Sequence, residues 1–326
     1  MRTPGRAVVL MYHRVAAPLA DPWALSVTPA AFDDQMAMLR AEMHPLSLTE
    51  LGAAVRGGHV PERAVAVTFD DGYADTASLA WPRLRVHGVP ATVFLATGYV
   101  GGRTEFWWDF VARVFLEPGP RPSHLALTVG GRRHSWTLGA RPGGGVVDGR
   151  APWRADDPPA TPWQAAYREV WGLLQQCGEE ERRDRLAELA LWAAEPTPGA
   201  SDCVAMTAGD VGTLACDPLI AFGAHSVTHP PLASLPVEEQ RREIRESIAA
   251  VRALGTGPVT SFSYPYGSHS DDTVAAVADA GMAVACTTAP GAVEASTPLL
   301  RVPRLQVLDW DGRTLRDRLA AVLDAR

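Results

Sequence analysis

Short runs of apolar residues recur along this chain and alternate with longer segments patterned for amphipathic helices. The runs are Val8–Tyr12, Ala64–Phe69, Ala91–Ala96, Ile220–Gly223, Val259–Tyr264 and Met282–Thr287. Most are apolar at successive positions, which suits strands buried on both faces of a parallel sheet. Between them, Pro29–Ala41 carries Phe32, Met36 and Leu39 at helical spacing behind Thr28 as an N-cap. Thr76–Val86 is a second helix, ended by Gly88. Pro236–Leu254 places Ile244, Ile248, Val251 and Leu254 on one face, opposite Glu239, Arg242 and Arg245. Asp271–Ala280 is closed by Gly281. Strand and helix in alternation predict β/α units around a parallel sheet rather than a sandwich.

The rhythm breaks across residues 101–204, where Gly and Pro cluster at Pro118–Pro122, Gly139–Gly149 and Pro158–Pro162. A loop this long needs structure of its own. Trp163–Gln176 and Glu179–Ala194 supply two helical patterns. Trp107, Trp108, Trp136, Trp153, Trp163, Trp171 and Trp192 are concentrated in the same region. Such rings can stack on sugars, but a small helical cap needs bulky core residues, and we expect the core role. The 326 residues therefore divide into a first part of the main domain at 1–100, an insertion at 101–204 and a second part at 205–326.

The net charge of −7 is opposite to what a phosphate backbone attracts, so no nucleic-acid partner is expected. Cys177, Cys203, Cys216 and Cys286 are far apart and form no CxxC pair, and they read as buried thiols in a reducing compartment. The first apolar run is too short for the core of a secretory signal, and no run approaches the roughly 18–20 apolar residues of a membrane span. A cytoplasmic location is expected.

Two clusters of reactive residues stand at the ends of apolar runs. Thr68-Phe69-Asp70-Asp71-Gly72 closes one run with adjacent carboxylates, and His225-Ser226-Val227-Thr228-His229 closes another. Taken alone, the Asp pair could cap a helix or form a turn. Two imidazoles at i and i+4 can meet on one face of a helical turn and converge on a metal. Together the clusters offer one carboxylate and two imidazoles, a set suited to Zn²⁺ with positions left for water. A second carboxylate beside the ion could deprotonate that water, which is hydrolytic chemistry.

These segments resemble the signature motifs of the NodB-like polysaccharide deacetylases of carbohydrate esterase family 4, over about residues 7–100 and 205–308. The resemblance implies a distorted (β/α) barrel of seven or eight strands, with the mainly helical insertion over its C-terminal face. It makes Asp70 the general base and Asp71, His225 and His229 the ligands of a divalent metal, with zinc as the favoured ion. Ser263-Tyr264-Pro265-Tyr266-Gly267 resembles the third motif, whose tyrosine backbone N–H stabilises an oxyanion, so Tyr266 inherits that role. The implied substrate is an N-acetylated amino sugar in a polysaccharide, oligosaccharide or glycan precursor.

Two departures point to substitutes. Ser263 stands where the family pattern has an arginine that orients the base, and Arg304, on the short apolar run near Val302, is the candidate replacement; its alternative is a surface arginine or a structural ion pair. The family's C-terminal Leu-x-His, source of the usual acid, is absent. His13 ends the first strand on the same face as Asp70 and His225, and can take that role unless it merely packs. A deformylase or small-molecule amidase would need the same groups, and a degenerate saccharide-binding barrel would not need Asp70.

Overall fold

The computed structural model describes residues 5–102, 105–140, 153–194 and 203–325, so most of the Gly139–Gly149 run lies outside the described residues. Eight parallel strands among them form one sheet: β1 (Ala7–Tyr12), β2 (His44–Pro45), β3 (Ala64–Phe69), β4 (Ala91–Leu95), β5 (Ile220–Ala224), β6 (Ser261–Ser263), β7 (Val284–Cys286) and β8 (Leu305–Gln306). The order across the sheet is β7-β6-β5-β4-β3-β1-β8, with β2 paired to the start of β3. The sheet curls, and one short run reaches both its edges. Val302 bridges in parallel to Cys286, while Leu305 and Gln306 pair with Leu10 and Met11 of β1. The result is the expected distorted (β/α) barrel.

Side chains alternate across a strand, so each apolar run serves two cores. Val8, Leu10 and Tyr12 of β1, with Val65, Val67 and Phe69 of β3, join Phe32, Met36, Leu84, Ile244 and Ile248 of the surrounding helices. Ala7, Val9, Ala64 and Ala66 belong to a second cluster with Phe94, Val284 and Cys286, to which the helix Leu48–Arg56 adds Leu48, Leu51 and Val55. Apart from Met11, the inward residues of β1 and β3 are small. Gly223 continues this economy, because a Cβ there would stand 2.5 Å from the Phe94 ring and 2.7 Å from Ser261 Oγ. Carried one step past the apolar runs, the same alternation puts Thr68 of β3, Asp70 just after it, His225 after β5 and Ser263 of β6 toward the barrel interior.

The helices follow their local signals. Thr28 caps Pro29–Glu42, Pro236 precedes Val237–Ala253, and a Ser270 capping box starts Asp271–Asp279. The segment expected as one helix from Thr76 begins as a π-turn over Thr76–Ala80 and becomes α only at Trp81–His87, ending at left-handed Gly88. Pro82 has no N–H to give the preceding turn, which accounts for the wider first loop. Helices Leu48–Arg56, Ala208–Ala215 and Gly312–Asp324 were not anticipated, and the run bearing Arg304 precedes the last of them. Strands β2 and β8 are two residues each, too short to show a period.

Contacts divide the chain into two compact units: Met1–Ala17, Ser26–Gly102 and Ala205–Arg326 in one, Pro18–Leu25 and Arg103–Val204 in the other. The second unit contains helices Trp107–Leu116, Pro162–Gln176 and Glu179–Ala193, and also a hairpin of His124–Val129 with Arg132–Thr137. Trp107, Trp108 and Trp163 are buried in its core, whereas Trp136, Trp153, Trp171 and Trp192 are half-buried. The short segment Pro18–Leu25 is built into this unit: Trp23 packs on Trp171 at 4.6 Å between ring centroids, and Ala155 N–H donates to the Pro22 carbonyl. The cysteines correct one expectation, since Cys177 and Cys286 are buried but Cys203 is half-buried and Cys216 exposed; all four are free thiols. No helix among the described residues is long and apolar enough to cross a membrane.

Gly223→Ala should lower stability by about 1–3 kcal/mol, because the new methyl must displace both the Phe94 ring and the Ser261 hydroxyl. Gly212→Ala, on a helix where a Cβ meets nothing within 4 Å, should raise it by up to about 1 kcal/mol. Urea midpoints of the two variants, moving in opposite directions from the parent, check both.

Candidate active site

The two carboxylates leave β3 by different routes. Asp70 continues the strand and its N–H still donates to the Tyr12 carbonyl of β1 at 2.9 Å. Its successor in an extended chain would point to the opposite face, but Asp71 adopts a left-handed conformation, φ 70°, and so returns to the side of Asp70. Both are buried.

The histidines converge without the expected helical turn. His225 remains tied to β4 through its N–H and the Leu95 carbonyl, after which Ser226 and His229 take left-handed φ values of 62° and 57°. The Ser226 hydroxyl accepts the His229 N–H at 3.1 Å, and the two Nε2 atoms stand 3.1 Å apart. His225 Nδ1 lies 2.7 Å from the Ser263 carbonyl oxygen. A carbonyl only accepts, so Nδ1 carries the proton and Nε2 presents its lone pair to the site.

Asp71 Oδ1 completes a triangle, 3.5 Å from His225 Nε2 and 3.3 Å from His229 Nε2. Atoms bound to zinc at ~2.0–2.2 Å in a tetrahedron lie roughly 3.3–3.5 Å from one another, close to these edges. Asp71 Oδ1 is buried and among the described residues has no hydrogen-bond partner of good geometry, as suits an atom meant for a cation. Burial pushes His229 down to about 3, with the opposing pull of Asp71 weaker, so its imidazole is neutral and able to donate. Burial also acts to lower His225, but the neighbouring Asp70 and Asp71 charges prevail and raise it. The three residues together could hold one metal ion.

Asp70 stands outside the triangle, its Oδ2 3.9 Å from His225 Nε2. It is held from below by Arg304, which is fully buried. Nη1 donates to Oδ1 at 2.8 Å and Nη2 to Oδ2 at 2.6 Å, the bidentate fork of a guanidinium on a carboxylate. The remaining donors are also used: Nε to the Thr287 carbonyl, Nη1 to Thr68 Oγ1 and Nη2 to Ser263 Oγ, while that hydroxyl donates to Asp70 Oδ2 at 3.2 Å. Burial by itself would raise the Asp70 carboxyl, but Arg304 and His225 hold it well below the usual carboxylate range. Ser263 is thus a bridge between acid and base, and Thr68 a second rest for the guanidinium. Neither role was read from the sequence, although the period-two alternation from Ala64 and Ala66 could have placed Thr68 inward.

Tyr266 follows β6 with φ 56°, and its ring meets that of His229 edge-on at 4.6 Å. His13 is half-buried at the end of β1, near enough for its charge to act on Asp70, Asp71 and His229. The residues Asp309-Trp310-Asp311 serve the scaffold: Asp309 accepts from the N–H and hydroxyl of Thr28, and Asp311 caps the last helix.

The family model for polysaccharide deacetylase matches residues 57–118 and 202–285, which include Asp70, Asp71, His225, His229 and Tyr266. Over these two segments the chain is similar to polysaccharide deacetylases. It is 37% identical over 86 residues to a poly-beta-1,6-N-acetyl-D-glucosamine N-deacetylase of Escherichia coli, a match that covers 26% of this chain and 13% of that protein. The protein of the same name from Staphylococcus epidermidis is 34% identical over 108 residues, 29% of this chain and 37% of that one. The match thus spans well under half the length of these curated relatives. Two solved deacetylases share the fold across nearly the whole chain. The Streptococcus pyogenes deacetylase PplD in complex with acetate has a TM-score of 0.57 at 18% identity, covering 99% of this chain and 100% of that one. IcaB from Ammonifex degensii has a TM-score of 0.59 at 16% identity, covering 99% of each. His13 and Arg304 lie outside the matched residues.

Arg304→Met leaves Asp70 buried without its cation and should cost about 3–5 kcal/mol at neutral pH. In the parent, the depressed Asp70 carboxyl adds stability above its unfolded pKa of about 3.9, and this is lost as pH falls toward the folded value. In the variant the carboxyl is raised instead, so acid relieves it. The stability gap between the two proteins should therefore be widest near pH 7 and narrow below about pH 4. Equal gaps at both ends of the pH series would show that Arg304 acts by packing alone.

Proposed function

We propose that the protein is a metal-dependent N-deacetylase that hydrolyses the acetamide of an N-acetylated amino sugar within a glycan, with zinc as the ion. The observation that carries this reading is Asp70, an ionised carboxylate locked beside the Asp71–His225–His229 triangle but outside it. A site that only held an ion or a saccharide has no use for a second, separately anchored carboxylate. The relatives named for poly-beta-1,6-N-acetyl-D-glucosamine favour a β-1,6-linked polymer as substrate.

A divalent ion held by Asp71, His225 and His229 supplies Lewis acidity, making a neighbouring water more acidic and an amide carbonyl more electrophilic. Asp70 accepts the proton that the attacking water gives up. Its low proton affinity makes it a weak base, and Arg304 and Ser263 compensate by fixing both its oxygens in place, so that no reorganisation is needed when the proton arrives. By the resemblance of its motif, Tyr266 offers its backbone N–H to the oxygen that becomes negative on the substrate. His13 protonates the departing amine, in place of a C-terminal histidine, and acetate and a free amino sugar are released.

Acetate release from β-1,6-linked N-acetylglucosamine oligomers, with N-formyl and β-1,4-linked oligomers alongside, tests the assignment. Asp70→Asn should lose roughly 10²- to 10⁴-fold in kcat and keep its zinc. Near-parental turnover in that variant would remove Asp70 from the mechanism. His13→Ala should lose most N-deacetylation yet keep much of the hydrolysis of an activated acetyl ester, whose leaving group needs little protonation; equal losses on both substrates would make His13 a packing residue.

A further inference from the structure

Helix Val237–Ala253 lays Ile244, Ile248 and Val251 against the sheet, yet Glu243, only 7% exposed, lies on the same buried side. Among the described residues this carboxylate pairs with no lysine, arginine or histidine. Its oxygens are committed to one turn. Oε2 accepts the backbone N–H groups of Val227 at 2.8 Å and Thr228 at 3.0 Å, and Oε1 accepts the Thr228 hydroxyl at 2.9 Å. Those two residues lie within the five-residue stretch that begins at His225 and ends at His229.

The turn is gripped from its other side as well. Thr97 N–H donates to the Ser226 carbonyl at 3.1 Å and Gly98 N–H to the Val227 carbonyl at 2.8 Å. Gly98 has to be glycine for this approach, since a Cβ there would stand 2.7 Å from the Val227 oxygen. Ser226 and His229, the turn's first residue and the ligand that closes it, hold left-handed conformations that side chains resist. Released from its anchors, such a turn relaxes toward right-handed values and the two Nε2 atoms part.

We infer that Glu243 is a positioning residue for the metal site, a buried carboxylate whose hydrogen bonds to the Val227–Thr228 amides set the spacing of the His225 and His229 imidazoles. It touches neither ion nor substrate. The inference rests on the reading above that these histidines hold the ion. A carboxylate suits the task better than a neutral acceptor because two successive N–H groups converge on one of its oxygens while the other remains free for the hydroxyl. The signal was present in the sequence as a charge beside Ile244, on the apolar stripe rather than opposite it.

The experiment is a zinc affinity measured by chelator competition for the parent, Glu243→Ala, Glu243→Asp and Glu246→Ala, with the metal-free fold of each followed by circular dichroism and thermal unfolding. Glu246 is exposed on the same helix and its removal changes the charge equally. Glu243→Ala should bind zinc roughly 10- to 100-fold more weakly, as is usual when a partner behind the ligands is lost, while Glu246→Ala binds as the parent does. Visible spectra of the cobalt(II)-substituted proteins should show altered coordination in Glu243→Ala alone. Parental zinc affinity in a folded Glu243→Ala would overturn the inference. If that variant does not fold, Glu243→Asp decides: its shorter side chain cannot reach all three donors, so weakened zinc binding supports the positioning role and unchanged binding refutes it. A parent protein whose zinc binding survives His225→Ala combined with His229→Ala would instead overturn the ligand assignment, and this inference with it.

Discussion

The ion pair between Arg304 and Asp70 is the interaction around which the barrel interior is arranged. Two opposite charges removed from water each carry a desolvation cost of several kcal/mol, recovered only if every donor and acceptor is matched. That condition explains otherwise unremarkable residues. Thr68, Ser263 and the Thr287 carbonyl take up the guanidinium donors left over from the fork on Asp70. Phe94 lies beneath the cation, its ring centroid 5.9 Å from the guanidinium carbon. Small residues at Ala64, Ala66 and Gly223 keep the space inside the sheet that a long side chain must cross. A polar column therefore runs up an otherwise apolar interior and ends in the Asp70 carboxylate.

Backbone strain is concentrated at the same place. Of the seven non-glycine residues with positive φ among the described residues, four (Asp71, Ser226, His229 and Tyr266) belong to this site. Each costs about 1–3 kcal/mol relative to a relaxed chain, so the surrounding hydrogen bonds must over-determine them. The reason for the cost is geometrical. A parallel strand delivers side chains to alternate faces, and consecutive residues such as Asp70 and Asp71 can act on one centre only if the chain reverses its handedness between them. The same reversal after β5 brings two histidines together over a distance too short for a helix to begin.

The fold was legible in the sequence where an element was long enough to show its period. Six of the sheet's strands coincide with apolar runs, because burial on both faces leaves a continuous hydrophobic signature. Strands β2 and β8 left none, being held by their neighbours and not by their own composition. At the site, the residue types at strand ends pointed to the metal triangle and to Asp70, and the position of Arg304 was inferred from a gap in the motif. The turn that joins the histidines was misjudged as helical, since i and i+4 spacing is equally consistent with a compact turn whose conformation is imposed by Glu243 and the residues after β4. Trp23 illustrates a different limit: nothing in Pro18–Leu25 signals that it packs with a unit that begins about eighty residues later.

Closure of the barrel explains how Arg304 comes to stand beneath Asp70. The segment Val302–Gln306 touches β7 at one end and β1 at the other, so the first and last strands of the chain are neighbours in space. Arg304 enters the interior from this seam, one residue before the Leu10–Leu305 pair, and reaches the carboxylate that an arginine on the Ser263 strand would otherwise approach from across the sheet. A serine at position 263 then has a consequence of its own: it vacates the volume of a long side chain and leaves a hydroxyl where Arg304 and Asp70 both need a partner. The strand that leads to His13 is Arg304's neighbour across the same seam, which puts both residues at one join of the barrel. Catalytic chemistry constrains where charges and protons stand relative to the scissile bond; a parallel barrel, whose strands all end on one rim, leaves the choice of strand open.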